Sequence, residues 1–137
     1  MKKAFALIAF LAMTVISMAE PVISFDKREW DWGSFSEDNP IQKCVFTFTN
    51  TGDAPLVINQ AVASCGCTVP KFTKTPVRPG ETGTINVTYS GKGKVPGHFR
   101  KSITVHSNGK PEIVRLYIEG IMTEGKVANK KKVANKK

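Results

Sequence analysis

Polar and apolar residues alternate along this chain with a period of two, and Gly, Pro and Asn interrupt the alternation. Cys44, Phe46 and Phe48 alternate with Val45, Thr47 and Thr49, the pattern of a strand with one apolar face. Asn50-Thr51-Gly52-Asp53 ends it, in a turn where Asn and Gly tolerate the positive φ that tight turns require. Residues 56–63 form the next predicted strand, after Pro55. Pro79-Gly80 marks a turn, beyond which Ile85, Val87 and Tyr89 alternate with Thr84, Asn86 and Thr88. Gly97 precedes a strand over residues 99–107, with Ile103 and Val105 on one face. Ser107-Asn108-Gly109-Lys110 is a hairpin signal, and Val114, Leu116 and Ile118 supply the last inward face. An early strand over residues 22–25, with Trp30 and Trp32 following, brings the count to about seven. No amphipathic helical period of useful length accompanies them.

Seven short strands in about a hundred residues predict an all-β domain, an immunoglobulin-like β-sandwich. The antibody variety is disfavoured, because it sets a tryptophan between two distant cysteines that bridge the sheets. Here both tryptophans precede all three cysteines. The core is therefore expected to be held by apolar packing, with Phe25, Trp32, Phe46, Phe48, Ile85, Tyr89, Phe99 and Leu116 as its large members.

The two ends differ from this body. Lys2 and Lys3 precede an apolar run over residues 4–16, and Ser17-Met18-Ala19 supplies small residues for a signal peptidase. The run is shorter than the ~20 residues a membrane-spanning helix needs. Residues 1–19 are thus expected to be a signal peptide cleaved after Ala19. No cysteine follows that point to carry a lipid, and no later segment is long and apolar enough to span a membrane. The expected product is exported, periplasmic or extracellular. At the other end, residues 126–131 and 132–137 both read KVANKK. A tail so rich in lysine cannot bury enough surface to offset its ordering entropy, so disorder is expected there.

Charge follows the same division. Residues 20–125, the expected domain, hold twelve Lys and Arg against eleven Asp and Glu, so this body carries +1 of the chain's +9. The remainder comes from two lysines in the leader and six in the tail. The folded part consequently lacks a nucleic-acid footprint. The tail is suited to nonspecific, screened contact with anionic surfaces, or merely to keeping the protein soluble.

The succession FTFTNTGDAPLVI, SCGCTVP, PVRPGETGTINVTY, GKGKVPGHFRKSITVHSN and IVRLYIEG resembles a bacterial family catalogued as domain of unknown function 1573. That family is common in exported proteins of Bacteroidetes. The resemblance covers residues 22–122 and implies an immunoglobulin-like sandwich related in shape to major-sperm-protein and abnormal-spindle domains. It implies no activity. Cys65 and Cys67 sit on the family's paired-cysteine element, whereas Cys44 and the lysine tail lie outside the pattern.

The chemistry of the chain gathers at Ser64-Cys65-Gly66-Cys67-Thr68. If this stretch were an extended strand, both sulfurs would face one side, with Cα atoms ~6.5–7 Å apart, at or beyond disulfide reach. Gly66 permits a kink that shortens the distance. Three readings stay open. Cys65 and Cys67 form a local disulfide, fixing a turn or serving as a redox group. Alternatively, Cys44 joins one of them as a strand-to-strand staple worth ~3 kcal/mol. In the third, the pair holds a soft ion such as Cu(I), with Cys44, His98 or His106 nearby. Two ligands are too few for a closed zinc centre, so no resident metal or cofactor is expected. Lys71 is the one nearby cation in sequence that could lower a thiol pKa. Cys44, sharing a strand face with Phe46 and Phe48, fits a small core residue, and both histidines fit the surface.

No serine-hydrolase, glycosidase or phosphate-loop motif occurs. Asn86-Val87-Thr88 is a glycosylation signal only in a eukaryotic route, which a bacterial chain does not take. The expected function is a non-enzymatic binding or scaffolding module of the cell envelope, meeting a protein or polysaccharide through residues 65–77. The alternative is a small periplasmic thiol protein using Cys65-Gly66-Cys67 for redox exchange or copper binding.

Overall fold

In this computed structural model, which describes residues 18–126, the period-two pattern becomes eight strands. They are β1 (Ile23–Phe25), β2 (Glu29–Ser36), β3 (Ile41–Asn50), β4 (Ile58–Ala63), β5 (Thr68–Phe72), β6 (Thr82–Ser90), β7 (Gly97–Ser107) and β8 (Ile113–Thr123). The expected signal peptide, apart from Met18 and Ala19, and the tail beyond Lys126 lie outside the described residues.

Two four-stranded sheets face each other, ordered β1-β3-β6-β5 and β2-β8-β7-β4. Neighbouring strands run antiparallel except β2 and β8, which are parallel. In β2 the register shifts between Asp31 and Ser34, where Gly33 adopts φ 65° and donates its amide to Asp31 Oδ1 at 2.7 Å. The strand that the sequence does not announce is β5. It occupies part of the stretch expected to be a contact loop, pairing Thr68 with Tyr89 and Phe72 with Ile85. Pro70 hides it, since proline seldom sits in a strand except at a sheet edge. An edge is where β5 lies.

The core is the layer between the sheets. Phe46, Phe48, Ile85, Val87 and Tyr89 meet Ile103, Val105, Val114, Leu116 and Ile118, all nearly inaccessible to solvent. Cys44 belongs to this layer. Phe25, Trp32 and Phe99, expected in the core, pack on its margin and are partly exposed.

Asn50 closes one end of the sandwich. It is fully buried, and its Nδ2 donates to the carbonyls of Ala54 (2.7 Å) and Val77 (2.9 Å). Its Oδ1 accepts from the amides of Gly52 (3.0 Å) and Val22 (3.3 Å). This corrects the turn expected at Asn50-Thr51-Gly52-Asp53, because neither Asn50 nor Gly52 takes a positive φ. Gly52 is needed for closeness instead. A Cβ there would strike the backbone at Glu20 O, Val22 N and the Pro21 carbonyl carbon. Gly80, in the expected Pro79-Gly80 turn, does adopt φ 81°, and its amide donates to Asn50 O at 2.7 Å.

Candidate functional site

β4 ends one sheet and β5 ends the other, so residues 64–67 must carry the chain across the side of the sandwich. Ser64 anchors the departure. Its amide donates to Ser102 O at 2.9 Å, and its Oγ accepts from the Ser102 amide at 3.1 Å. Cys67 anchors the arrival, its carbonyl accepting from the Ser90 amide at 2.8 Å. Between them a tight turn forms, with the Thr68 amide donating to Cys65 O at 3.3 Å.

Within that turn Cys65 and Cys67 are bonded as a disulfide, with Cα atoms 5.4 Å apart. The spacing is shorter than an extended strand allows, and a turn rather than a strand supplies it. Both cysteines are half-buried, and Cys67 packs against the buried core. Thr68, only 4% exposed, places Oγ1 at 3.9 Å from Cys65 Sγ and 3.8 Å from Cys67 Sγ. One buried hydroxyl therefore serves both sulfurs.

The other residues that the sequence singles out lie elsewhere. Cys44 is a free, buried thiol on β3, opposite Val87, and forms no staple. Burial pushes its pKa from the ordinary 9.0 up to about 12, slightly opposed by the Lys27 charge. His98 is exposed and sits 3.5 Å from Glu119, while His106 pairs with Gln60 and Ile113 along β7. Among the described residues no group of three or more His, Cys, Asp or Glu is placed to hold a metal. Lys71 lies farther along β5, exposed and opposite Asn86. The β4–β7 ladder ends at Ala63–Ile103, and the Ser64–Ser102 bonds close it just before the disulfide turn.

The outer strands form a second feature. β1 is three residues long, β2 carries Glu29 and Asp31 beside its irregularity, and β5 carries Pro70 and Lys71. β4, with sequence INQAVA, has neither charge nor proline. Its register shift is confined to the start, between Ile58 and Gln60, and Val62 is 43% exposed. Ser64 directs its amide at β7, so by alternation the amides of Ala61 and Ala63 point away from it.

Over residues 23–122 the sequence matches the family described as "Protein of unknown function (DUF1573)". The chain belongs to this family. No curated protein matches it. Among solved structures, this DUF1573 member is similar to a protein of unknown function from Porphyromonas gingivalis W83. The TM-score is 0.65 at 14% identity, over 80% of this chain and 51% of that one. The chain thus spans about half the length of that protein. It is also similar to a human domain, the ASH/PapD-like domain 7 of CEP192, with TM-score 0.61 and 8% identity over 85% and 97% of the two chains. The periplasmic chaperone SfaE gives TM-score 0.51 at 10% identity over 74% of this chain and 56% of that one. These likenesses show a PapD-like, immunoglobulin-like fold for this DUF1573 member. Among the described residues, no helix is long and apolar enough to cross a membrane.

Proposed function

We propose that this protein is an exported, non-enzymatic binding module that takes an extended segment of another envelope protein as an added strand on β4. The observation that carries this reading is the chemistry of the four edge strands. Natural sheets blunt their free edges with short strands, charges, prolines or bulges. The edges at β1, β2 and β5 use such devices, whereas the middle and end of β4 use none. A row of unpaired backbone amides and carbonyls with neutral side chains is a template for strand addition, where main-chain bonds supply affinity.

The side chains of β4 favour a partner of particular pattern. Ala61 and Ala63 pair with the core residues Val105 and Ile103 and so lie on the inner side of the edge. Both are small and only partly buried. An incoming strand with larger apolar residues at alternate positions would cover them, while its other residues faced water beside Gln60 and Val62. A second copy of β4 has only Ile58 as a large inward residue, and that side chain is already buried in its own core. A polysaccharide would leave the backbone row unused. Export is supported by the leader-like residues 1–19 and by a disulfide, a bond that persists in oxidising compartments.

Two exposed valines provide the test. Val62 on β4 and Val69 on β5 are 43% and 51% exposed, each on an edge strand. A photo-crosslinking residue at position 62 is expected to join an extended segment of one envelope protein, and the same residue at 69 is not. Equal crosslinking at both positions, or none at 62, contradicts the reading.

A further inference from the structure

Strand docking leaves the disulfide turn without a role, yet its surroundings are chemically specific. We infer that Cys65–Cys67 is a second, reactive site: an acceptor disulfide for thiol–disulfide exchange with a protein dithiol. This inference stands whether or not β4 takes a partner strand.

The two sulfurs are not equivalent. Both are half-buried, but Cys67 is packed against the core, which leaves Cys65 Sγ as the sulfur for an incoming thiolate to attack. Its attack forms a mixed disulfide with Cys65 and breaks the Cys65–Cys67 bond, leaving the electron pair on Cys67 Sγ. The hydroxyl of Thr68, 3.8 Å from that sulfur, is placed to donate to the new thiolate. A sulfur stabilised in this way is the better leaving group. The second thiol of the dithiol then attacks its own sulfur in the mixed disulfide and releases Cys65 as a thiolate. Thr68 Oγ1 lies 3.9 Å from Cys65 Sγ, so the same hydroxyl favours the charged form here as well. Two electrons and two protons pass from the partner dithiol to the pair. The partner becomes a disulfide, and Cys65 and Cys67 become thiols once protonated. Cys44 takes no part, being a free thiol buried on β3.

Thr68 is thus a positioning residue for both half-reactions, and it separates this reading from a merely structural turn. Reduction of the full-length protein by dithiothreitol near neutral pH, followed by alkylation and mass mapping, measures the rate. Thr68→Val is expected to slow it about tenfold, and Thr68→Ser to restore it. A loosened turn would instead speed reduction in Thr68→Val. With glutathione disulfide as probe, the Cys65 thiol of Cys67→Ser is expected to form its mixed disulfide about tenfold faster than the Cys67 thiol of Cys65→Ser. Melting temperatures of the variants confirm that folded protein is compared. The inference is overturned if native protein resists dithiothreitol until it unfolds. Unchanged or faster reduction of Thr68→Val, or equal rates for the two single-thiol variants, overturns it as well.

Discussion

Tyr89 and Phe99 stack face to face from opposite sheets, with ring centroids 4.1 Å apart and planes 8° from parallel. Trp32 and Phe35 flank both rings. This aromatic group joins the sheets at the same end of β6 and β7 as the disulfide turn, since Thr68 pairs with Tyr89. Aromatic packing therefore does here what an inter-sheet disulfide does in antibody domains.

Phe99→Ala is expected to cost about 3 kcal/mol, at the lower end for a core phenylalanine because Phe99 is partly exposed. Phe46→Ala and Phe48→Ala, both at fully buried positions, should cost about 3–5 kcal/mol. A double-mutant cycle combining Phe99→Leu and Tyr89→Leu should show coupling of about 1 kcal/mol. Denaturant melts measure all of these.

Asn50→Ala is expected to destabilise by about 2–3 kcal/mol, because buried amides and carbonyls lose their partners at once. Gly52→Ala should cost about 3 kcal/mol or more, since backbone rather than a flexible side chain occupies the space. If Gly52 served only the turn, with no close approach to residues 20–22, Gly52→Ala would be mild. The same melts decide it.

The Cys44 thiol should resist iodoacetamide near neutral pH until the protein unfolds, because burial holds it protonated. The sign of its pH effect follows. Unfolded, the thiol ionises above its ordinary 9.0, whereas folded it stays protonated up to about 12. Across that window the unfolded state binds fewer protons, so stability falls as pH rises, while below 9.0 this contribution is fully present. Burial raises the Tyr89 pKa too and acts in the same direction. Cys44→Ala should therefore lose stability less steeply over that range, as read from urea midpoints against pH.

Much of the fold was legible because a half-buried strand must alternate, and residues 41–50, 82–90 and 113–123 do so cleanly. β5 was not, because an edge strand is paired on one side only and tolerates Pro70. Asn50 and Gly52 were legible as punctuation but not in their physical roles, which depend on the approach of residues 20–22. At the candidate site, the closeness of Cys65 and Cys67 was plain from spacing. Thr68, adjacent in sequence, needed the turn to bring its hydroxyl to both sulfurs. The free edge of β4 needed the strand order. That order is not a local property of the chain.

The sharpest test of strand addition is amide hydrogen exchange along β4. Twelve-residue peptides selected by display against the folded protein serve as the probe. In the free protein, Ala61 and Ala63 should exchange quickly and Val62 slowly, as the Ser64–Ser102 bond implies by alternation. Bound peptide should slow Ala61 and Ala63 and leave the other edge strands unchanged. Failure to select any binder, or protection confined to β1, β2 or β5, would contradict strand addition at β4.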